Sequence, residues 1–307
     1  MSMLAIGTVG LDYIETPDLS ASGVLGGTLT FIALAARHFS SRIGLVAVIG
    51  RDFSDEHWAW FRDPAFDRSG VQIEKNLDTF AWGARYDATL NDRVTLYTHI
   101  NALEAFEPRV PEAYRGPGVV ALGNLDPNNQ LKTLNQLSPS AYIVCDTMNL
   151  WMNTALEQVH EVIARVDCLI INDSEARQLG ESSNLISAAH RILGMGPRVL
   201  VIKKAEHGAQ LFAEGGVFCV PAVPLASIVD PTGAGDAFLG GFAGSLSAAG
   251  SHGFEALQRA VVYGTVMASF CVEELGPGRL SQVEAAEIRE RFAILKVMME
   301  FPDMGGQ

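Results

Sequence analysis

The sequence predicts an α/β fold with a doubly wound, mostly parallel central sheet, flanked by helices and carrying a small β excursion. Two observations support this prediction. Short runs rich in Val and Ile are apolar on both faces, which is typical of parallel strands buried on both sides. These runs alternate with segments of helical periodicity, as expected for βαβ units. The strand candidates are Leu4–Val9, Ile43–Ile49, Val119–Gly123, Tyr142–Asp146, Cys168–Asn172 and Val199–Lys203.

The helical segments lie between and after these strands. Apolar residues recur in them at the spacing of one helix face. The last three follow one another without a strand candidate between them, so the final third of the chain is predicted to be mainly helical. The segments are Thr28–Phe39, Asn128–Leu137, Thr154–Arg165, Ser174–Leu179, Leu185–Leu193, Ala234–Ala249, Phe254–Val272 and Val283–Met299.

Two segments depart from the alternation of strand and helix. Thr79–Ile100 is rich in aromatic and β-branched residues and has Asn91-Asp92 at its middle, a pattern that predicts an antiparallel hairpin. The polar segment Asp12–Leu25 is the second departure. We expect both to project from the sheet edge and to form one small lid, with segments at about residues 12–25 and 79–101. In the absence of repeats and long linkers, the sequence predicts one domain over residues 1–307.

Composition and charge limit the class of function. The 307 residues include 22 Lys and Arg against 35 Asp and Glu, which gives a formal net charge of −13. Such an acidic chain repels phosphate backbones and anionic lipid, so we expect neither nucleic-acid nor membrane binding. The longest nearly apolar stretch, Ala260–Val272, is too short to span a bilayer. The first basic residue is Arg37, without the early positive region of a targeting peptide, so we expect a cytoplasmic protein.

Polar residues follow five of the strand candidates directly. Ligands of open parallel sheets bind beyond the carboxyl ends of the strands, so these residues mark the predicted site. For any single one, a helix N-cap or a turn is the more common role, but the coincidence of five strand ends favours a site. The groups are Gly10–Asp12, Gly123–Asp126, Asp146–Asn149, Asn172–Glu175 and Lys203-Lys204.

Lysine usage indicates an anion at this edge of the sheet. The chain has only five lysines, and two of them, Lys203 and Lys204, stand together at a strand end. A solvated pair is the simpler interpretation, and we keep it for Lys204. Lys203 continues the apolar strand directly and is therefore better placed to meet an anion.

The strongest motif is DPTGAGD at Asp230–Asp236, which an apolar, Gly-rich helical run follows. Gly233 and Gly235 at a helix start let backbone N–H groups converge, and the helix N-terminus adds partial positive charge. Asp236 in the first turn would complement the helix dipole. A carboxylate weakens an anion site, however, unless it takes a proton from a hydroxyl that attacks a bound phosphoryl group. The motif therefore indicates a general base beside an anion hole.

Motifs of other enzyme classes are missing or partial. The sequence contains no G-x-x-x-x-G-K-[ST], H-E-x-x-H, G-x-S-x-G or C-x-x-C. Gly233-Ala234-Gly235 matches the start of a dinucleotide fingerprint, but Phe238 stands where its third glycine would be. Assignment of the chain as a dinucleotide-dependent oxidoreductase would depend on this partial match alone.

Taken together, these residues resemble the ribokinase-like (PfkB) family of carbohydrate and nucleoside kinases. DPTGAGDAF is similar to the C-terminal signature of that family, and Asn172–Glu175, NDSE, to its N-x-x-E element. Ile202–Phe212 resembles the family's strand–turn–strand beside the nucleotide, and LGGTLTFIALAARHF with IGLVAVIGRDF its N-terminal signature. The motifs occur in family order from about residue 4 to 280. The resemblance implies the ribokinase-like fold with a lid over the acceptor, and ATP and Mg²⁺ as nucleotide and metal.

The resemblance also assigns roles to individual residues. Asp236 would be the catalytic base. The N–H groups that hold the developing charge of the γ-phosphoryl group would come from Gly233, Ala234 and Gly235. The residues that orient Mg²⁺ and the phosphates would be Asn172 and Glu175. The residues along the nucleotide would be Asn172, Lys203, Gly208 and Thr232. The residues facing the acceptor would be Asp12, Gly26, Gly27, Phe31, Arg85 and Asn124.

One departure from the family bears on the acceptor. Many sugar kinases of the family have Asn four residues after the second glycine of the GG pair, where this chain has Phe31. Phe31 either packs in the core, at helical spacing with Leu34, or offers a flat apolar surface to the acceptor.

The implied function is transfer of the γ-phosphoryl group of ATP to a hydroxyl of a small sugar or sugar-like acceptor. A nucleoside acceptor is the alternative within this chemistry, favoured by Phe31, Trp82 and Tyr86. A ligand-binding protein without turnover is the alternative outside it, and the intact Asp236 argues against it. The resemblance leaves open a monovalent cation near Asp230 and a homodimer formed through the lid.

Overall fold

The structure is a computed structural model that describes residues 2–90, 92–116 and 118–300. Its strands are β1 (Met3–Ile6), β2 (Gly10–Glu15), β3 (Ser20–Gly26), β4 (Ile43–Ile49), β5 (Phe66–Ile73), β6 (Ala81–Tyr86), β7 (Arg93–His99), β8 (Val119–Leu122), β9 (Tyr142–Asp146), β10 (Cys168–Asn172), β11 (Val199–Lys203), β12 (Ala209–Ala213) and β13 (Gly216–Val220). Its α-helices are α1 (Thr28–Ala36), α2 (Asp55–Ala59), α3 (Pro127–Leu134), α4 (Asn149–Thr154), α5 (Leu156–Ile163), α6 (Asp173–Leu179), α7 (Leu185–Leu193), α8 (Ala234–Ala249), α9 (Phe254–Cys271), α10 (Gly278–Gln282) and α11 (Ala285–Met299).

Nine strands form the main sheet in the order β13-β12-β11-β10-β9-β8-β1-β4-β5. The seven strands from β11 to β5 run parallel, and β12 and β13 extend the sheet as antiparallel strands. This arrangement confirms the predicted doubly wound, mostly parallel sheet.

Both faces of the main sheet are buried, because alternate residues of each strand enter two different cores. In β1, Met3 and Ala5 pack on the side of α1, α8 and α9, whereas Leu4 and Ile6 pack on the side of α3, α5, α6 and α7. This double burial is the physical reason why the strands have no polar face in the sequence.

The predicted bounds agree with the structure where a strand is buried on both faces. β4, β9, β10 and β11 begin and end at the predicted residues, whereas β1 ends at Ile6 instead of Val9. β5 is a strand that the sequence pattern does not predict; it lies at the sheet edge, and its side chains are mostly exposed or half-buried. Because one side of β5 faces solvent, its sequence FDRSGVQI carries no continuous apolar run.

The two departures from the alternation pair with each other in a second sheet. This small sheet, in the order β3-β2-β6-β7, joins the Asp12–Leu25 segment to the hairpin through parallel pairing of β2 with β6. β6 and β7 are antiparallel, as predicted, while Asn91 of the predicted turn lies outside the described residues. In the part of the chain that the structure describes, no helix has the length and apolar character to cross a bilayer.

Candidate active site

A cavity of about 1930 Å³ lies between the small sheet and the carboxyl ends of the parallel strands. Each of the five strand-end groups singled out from the sequence contributes to its lining. The contributing residues include Asp12, Asn124, Asp146, Asn172 and Lys203. The fold therefore gathers polar groups that are far apart in the sequence into one site, as the rule for open parallel sheets requires.

The predicted anion hole corresponds to the turn before α8. Gly233 has a left-handed backbone conformation with φ +79°, which a side chain would strain. The N–H of Ala234 donates to the carbonyl of Pro231 at 3.2 Å. Among the described residues, the N–H groups of Gly233, Gly235 and Asp236 have no such partner. The backbone donors free to hold an anion are thus those of the two glycines and Asp236, while Ala234 fixes the turn.

Phe31 lies directly under this turn. An added Cβ on Gly233 would come within 2.4 Å of the Phe31 ring, and Phe31 is only 1% exposed. Its ring belongs to the main core and also reaches the cavity lining. These contacts support the interpretation of Phe31 as a packing residue whose ring lies against the backbone of the turn at Gly233.

Asp236 projects from the first turn of α8 into the cavity. Desolvation of the carboxylate raises its pKa to about 7, the nearby Asp146 adds to the rise, and the ammonium of Lys203 opposes it. The side chain of Thr28 also opposes the rise in the pKa. A carboxylate that titrates near neutral pH is suited to accept a proton from a hydroxyl.

Lys203 and Asp146 form a buried ion pair next to the anion hole. Lys203 Nζ donates to Asp146 Oδ2 at 3.2 Å, and the two side chains are 17% and 8% exposed. An added Cβ on Gly235 would lie 2.9 Å from Lys203 Nζ, so the ammonium lies against the first turn of α8. The sequence pattern predicts Asp146 at a strand end of the site, but the ion pair with Lys203 is visible only in the structure.

Asn172 and Glu175 bond to each other across the first turn of α6. Asn172 Oδ1 accepts from the N–H of Glu175 at 2.8 Å, and Glu175 Oε2 accepts from the N–H of Asn172 at 2.8 Å. This reciprocal pair is a capping box. Burial raises the pKa of Glu175 to about 7. Among the described residues Glu175 Oε1 has no hydrogen-bond partner, so one carboxylate oxygen remains free toward the cavity.

Asp12 is buried between the strands of the small sheet and is 4% exposed. Its Oδ1 accepts from the N–H of Trp82 at 3.1 Å. An added Cβ on Gly26 would lie 2.1 Å from Asp12 Oδ2, so only glycine leaves room for this carboxylate. Burial raises the pKa of Asp12 to about 7, and the charge of Asp230 adds to the effect. Asp12 and Gly27 line the cavity, whereas Gly26 acts by making space for Asp12.

Aromatic side chains line the cavity around Asp12 and Asn124. Asn124 Oδ1 accepts from Trp151 Nε1 at 2.8 Å, and Asn124 Nδ2 lies 3.0 Å from Met148 Sδ. Asn124 thus holds the indole of Trp151 at the cavity lining. The other aromatic lining residues of this end are Phe80, Trp82, Tyr86 and Phe106.

Arg85, the proposed acceptor contact of the hairpin, does not line the cavity. Its side chain is 58% exposed and pairs with Glu15 at 2.8 Å. Arg93 lines the cavity instead, with its guanidinium 5.4 Å from the ring centroid of Trp82. Its charge opposes, without reversing, the rise that burial causes in the pKa of Glu175 and of Asp236. The alternation of side chains along a strand accounts for this difference. Trp82 and Tyr86 share one face of β6, and Arg85 lies on the other. Arg93 is the cross-strand partner of Tyr86 and therefore lies on the face that Tyr86 shares with Trp82.

The remaining predicted residues are Gly208, Thr232 and Asp230. Gly208 lines it in the turn before β12, close to an apolar region that includes Val223 and Leu225. Thr232 also lines it, but its hydroxyl oxygen lies 2.8 Å from the hydroxyl of Tyr86 in the small sheet. The fully buried Asp230 accepts from the N–H groups of Thr232 and Gly276.

No group of three or more His, Cys, Asp or Glu side chains within the described residues is arranged to hold a metal ion by itself. Mg²⁺ is commonly bound by one or two carboxylates together with water and substrate phosphates. The free oxygen of Glu175 fits that kind of coordination.

A buried carboxylate beside a turn with free backbone N–H groups, at the strand ends of a doubly wound sheet, is the arrangement expected of a phosphotransferase that acts on an alcohol group. The family model "pfkB family carbohydrate kinase" matches residues 23–283. The chain belongs to this family, and the enzyme class and the ribokinase-like resemblance predicted from the sequence are confirmed.

Curated relatives of the chain are kinases of nucleosides or ribosides. A cytidine kinase of Thermococcus kodakarensis is 29% identical over 248 residues, which cover 79% of this chain and 87% of that protein. An aminoimidazole riboside kinase of Salmonella typhimurium is 31% identical over 259 residues, 80% of each protein.

Solved structures share the fold. The Burkholderia thailandensis nucleoside kinase in complex with inosine has a TM-score of 0.79 at 19% identity, covering 96% of this chain and 98% of that one. A putative ribokinase II of E. coli in complex with ATP and Mg²⁺ has a TM-score of 0.78 at 18% identity, covering 95% and 99%. This similarity confirms the ribokinase-like fold.

Proposed function

We propose that the protein transfers the γ-phosphoryl group of ATP to a hydroxyl of the sugar moiety of a small acceptor. The observation that carries the proposal is the position of Asp236 beside the free N–H groups of Gly233 and Gly235, on the cavity that also contains Asp12 and Glu175. This set supplies a base, an anion hole, a carboxylate for sugar hydroxyls and a carboxylate for a metal ion.

In the proposed reaction, Asp12 accepts hydrogen bonds from acceptor hydroxyls and directs one of them toward Asp236. Asp236 takes the proton of that hydroxyl as its oxygen bonds to the γ phosphorus. The bond to the bridging oxygen breaks, and its electron pair leaves with ADP. The N–H groups of Gly233 and Gly235 donate to the phosphoryl oxygens, where charge develops.

ATP fits the other end of the cavity, where Gly208 and the apolar region near Val223 offer space for a nucleotide. Lys203 and Asn172 lie on the path from that region to the anion hole. Mg²⁺ would be held by Glu175, directly or through water, with Asn172 beside it. When bound, the ion neutralises charge on the phosphates.

A nucleoside is the second candidate for the acceptor. Trp82 and Trp151 both line the acceptor end of the cavity and offer flat apolar faces to a base. The curated relatives that act on cytidine and aminoimidazole riboside support this candidate. A free sugar would leave these aromatic faces without a partner.

Two finer predictions from the resemblance also belong to this proposal. The small sheet acts as the lid of the acceptor, supported by the contact of Tyr86 with Thr232. Its outer face carries Val94 and Leu96, which are 65% and 39% exposed, and we propose that a second copy of the chain pairs there. A monovalent cation near Asp230 stays a prediction.

The test is a screen of ADP formation with ATP and Mg²⁺ across sugars, nucleosides and polyols, with product masses measured to locate the transferred phosphate. We expect one group of ribose-containing acceptors to give a product heavier by one phosphoryl group. ADP formation that no acceptor increases, or that Asp236→Asn leaves unchanged, would contradict the proposal.

A further inference from the structure

The ammonium of Lys203 occupies a position that nucleotide binding alone does not explain. The residue ends β11, but its side chain crosses to the first turn of α8, where Nζ would lie 2.9 Å from a Cβ added to Gly235. Burial of the ammonium lowers its pKa, but the charges of Asp146, Glu175 and Asp236 outweigh this effect and raise the pKa of Lys203 above its ordinary value. The charge is therefore held at the anion hole, between the base and the carboxylate assigned to the metal.

Most of the hydrogen-bonding capacity of this ammonium is unused. A lysine ammonium has three N–H donors. Within the described residues, Asp146 Oδ2 is its one hydrogen-bond acceptor, at 3.2 Å. Two donors therefore remain for a group in the cavity, which Lys203 lines.

Asp146 is placed to hold the ammonium in this position. Its Oδ1 accepts from the N–H of Thr147 at 2.8 Å, and its Oδ2 accepts from Lys203. Both carboxylate oxygens are thus engaged, and Asp146 is 6% exposed. A carboxylate fixed in this way restricts the rotamers of a long and otherwise flexible side chain.

We propose that Lys203 is a catalytic residue that donates hydrogen bonds to the phosphoryl group as it is transferred, and that Asp146 is the positioning residue of Lys203. The inference rests on the proposed function and adds a lysine to its anion hole. As the hydroxyl oxygen of the acceptor bonds to phosphorus, its proton passes to Asp236 and the bridging electron pair leaves with ADP. Lys203 keeps its proton throughout and stabilises the charge on the oxygens in transit.

This role predicts an effect on turnover more than on nucleotide affinity. A donor fixed before the reaction, at the place where charge develops, lowers the barrier without reorganisation. A cation that binds phosphates equally before and during the reaction changes KM instead.

The decisive comparison is between Lys203→Met, Asp146→Asn and the double variant that combines them. Lys203→Met leaves a buried carboxylate without its partner, and this can unfold the protein. The double variant is neutral and close to the original volume, so it removes the charge without leaving an uncompensated one. Lys204→Met is the matched control, because Lys204 neighbours Lys203 in the sequence but does not line the cavity.

We expect the folded double variant to lose about 10²- to 10³-fold in kcat, with KM for ATP within about threefold of the parent. Asp146→Asn alone is expected to lower kcat by a smaller factor at unchanged nucleotide affinity, because Lys203 remains but is less well held. A double variant with parental kcat would show that the pair is only structural. A loss confined to KM for ATP would show that Lys203 only binds nucleotide.

A binding measurement separates this inference from the proposed function. Calorimetry with Mg²⁺·ADP, with and without aluminium fluoride as a mimic of the phosphoryl group in transit, needs no turnover. We expect the double variant to bind Mg²⁺·ADP normally and to lose the gain in affinity given by aluminium fluoride. An undiminished gain would overturn the role of Lys203, whereas a parent enzyme that phosphorylates no acceptor would overturn the proposed function.

Discussion

At the scale of single residues, the site depends on carboxylates with an environment that opposes their ionisation. Asp236 shows this most directly, because desolvation raises its pKa to about 7 while its proposed task requires the ionised form. The proposed base is therefore close to its working pH, where proton transfer is most efficient.

The first prediction concerns Asp236→Asn. The base must be deprotonated, so kcat/KM for the acceptor in the parent enzyme should fall as the pH drops below about 7. Asp236→Asn should lower kcat at least about a hundredfold and make this acidic limb shallower, since Asp12 and Glu175 still titrate at about pH 7. The free energy of unfolding should not decrease, because the variant no longer buries a charge.

Asp173→Asn is the control, since Asp173 also lies in the first turn of a helix but does not line the cavity. Equal losses of kcat in the two variants would mean that Asp236 only stabilises the N-terminus of α8 through the helix dipole. Retained turnover in a destabilised Asp236→Asn variant would lead to the same conclusion.

The second prediction concerns Gly26→Ala. The new Cβ would lie 2.1 Å from Asp12 Oδ2, so the carboxylate must move away from its bond with Trp82. Loss of a hydrogen bond to the acceptor, about 1–3 kcal/mol, should raise KM for the acceptor about tenfold or more with KM for ATP little changed. Gly116→Ala is the matched control, because a Cβ there meets no atom within 4 Å. Equal kinetics of Gly26→Ala and the parent would remove Asp12 from the acceptor site.

At the scale of elements, a side-chain hydrogen bond connects the small sheet to the turn before α8. Tyr86 of β6 is buried, and its hydroxyl lies 2.8 Å from that of Thr232. β7 forms the free edge of the sheet, and its residues are mostly exposed. Such an element opens at a lower free energy than the main sheet.

The third prediction concerns Tyr86→Phe, which removes the hydroxyl and keeps the ring. We expect KM for the acceptor to rise several-fold, by about the net 0.5–1.5 kcal/mol of one hydrogen bond, and amide exchange in β6 and β7 to become faster. The exchange should slow when acceptor binds. Tyr13→Phe is the control, because its hydroxyl donates to Glu15 in the same sheet and does not line the cavity. Exchange in β7 as slow as in β10 without ligand would contradict the lid role.

At the scale of the whole molecule, three buried carboxyl groups of the site make the free energy of unfolding depend on pH. Asp12, Glu175 and Asp236 each have a pKa raised to about 7. The folded state therefore binds protons more tightly than the unfolded chain up to about neutral pH. Burial lowers the pKa of His38 to about 4, so the folded state binds this proton less tightly than the unfolded chain. This effect lowers the free energy of unfolding as the pH falls below the ordinary pKa of 6.5.

The fourth prediction follows from this balance. Between about pH 6.5 and 8 the raised carboxylates lose their protons in the folded state, so the free energy of unfolding should fall as the pH rises through about 7. Urea unfolding at several pH values in that window measures the slope, and Asp12→Asn should make it shallower. A flat or rising profile in the ligand-free protein would contradict the burial of these charges.

The sequence predicted the parts of the molecule whose signal is local. Strands buried on both faces, such as β4 and β11, carry continuous apolar runs. The Asp230–Asp236 turn has a left-handed backbone conformation at Gly233, which favours glycine at that position. β5 was not predicted, because many side chains of this edge strand are exposed to solvent and its sequence therefore lacks a continuous apolar run.

Contacts between distant segments were not predictable in the same way. The pairing of Asp146 with Lys203, and of Tyr86 with Thr232, depends on how strands and sheets are arranged in space. Arg93 could have been found, because strand alternation puts it on the face of Tyr86 once the hairpin register is known. The register itself shifts at a bulge between Gly83 and Ala84, which the sequence pattern does not reveal.

The aromatic lining of the cavity also gives the protein an optical signal of its own. Two of its four tryptophans, Trp82 and Trp151, line the cavity, and the indole of Trp82 lies beneath the guanidinium of Arg93. Trp58 and Trp60 pack against the main core instead. An occupant of the cavity that displaces Arg93 or stacks on either indole changes its fluorescence, so titrations in a Trp58→Phe/Trp60→Phe background follow occupancy by emission alone. Acceptors that bind but are not phosphorylated become visible in the same measurement.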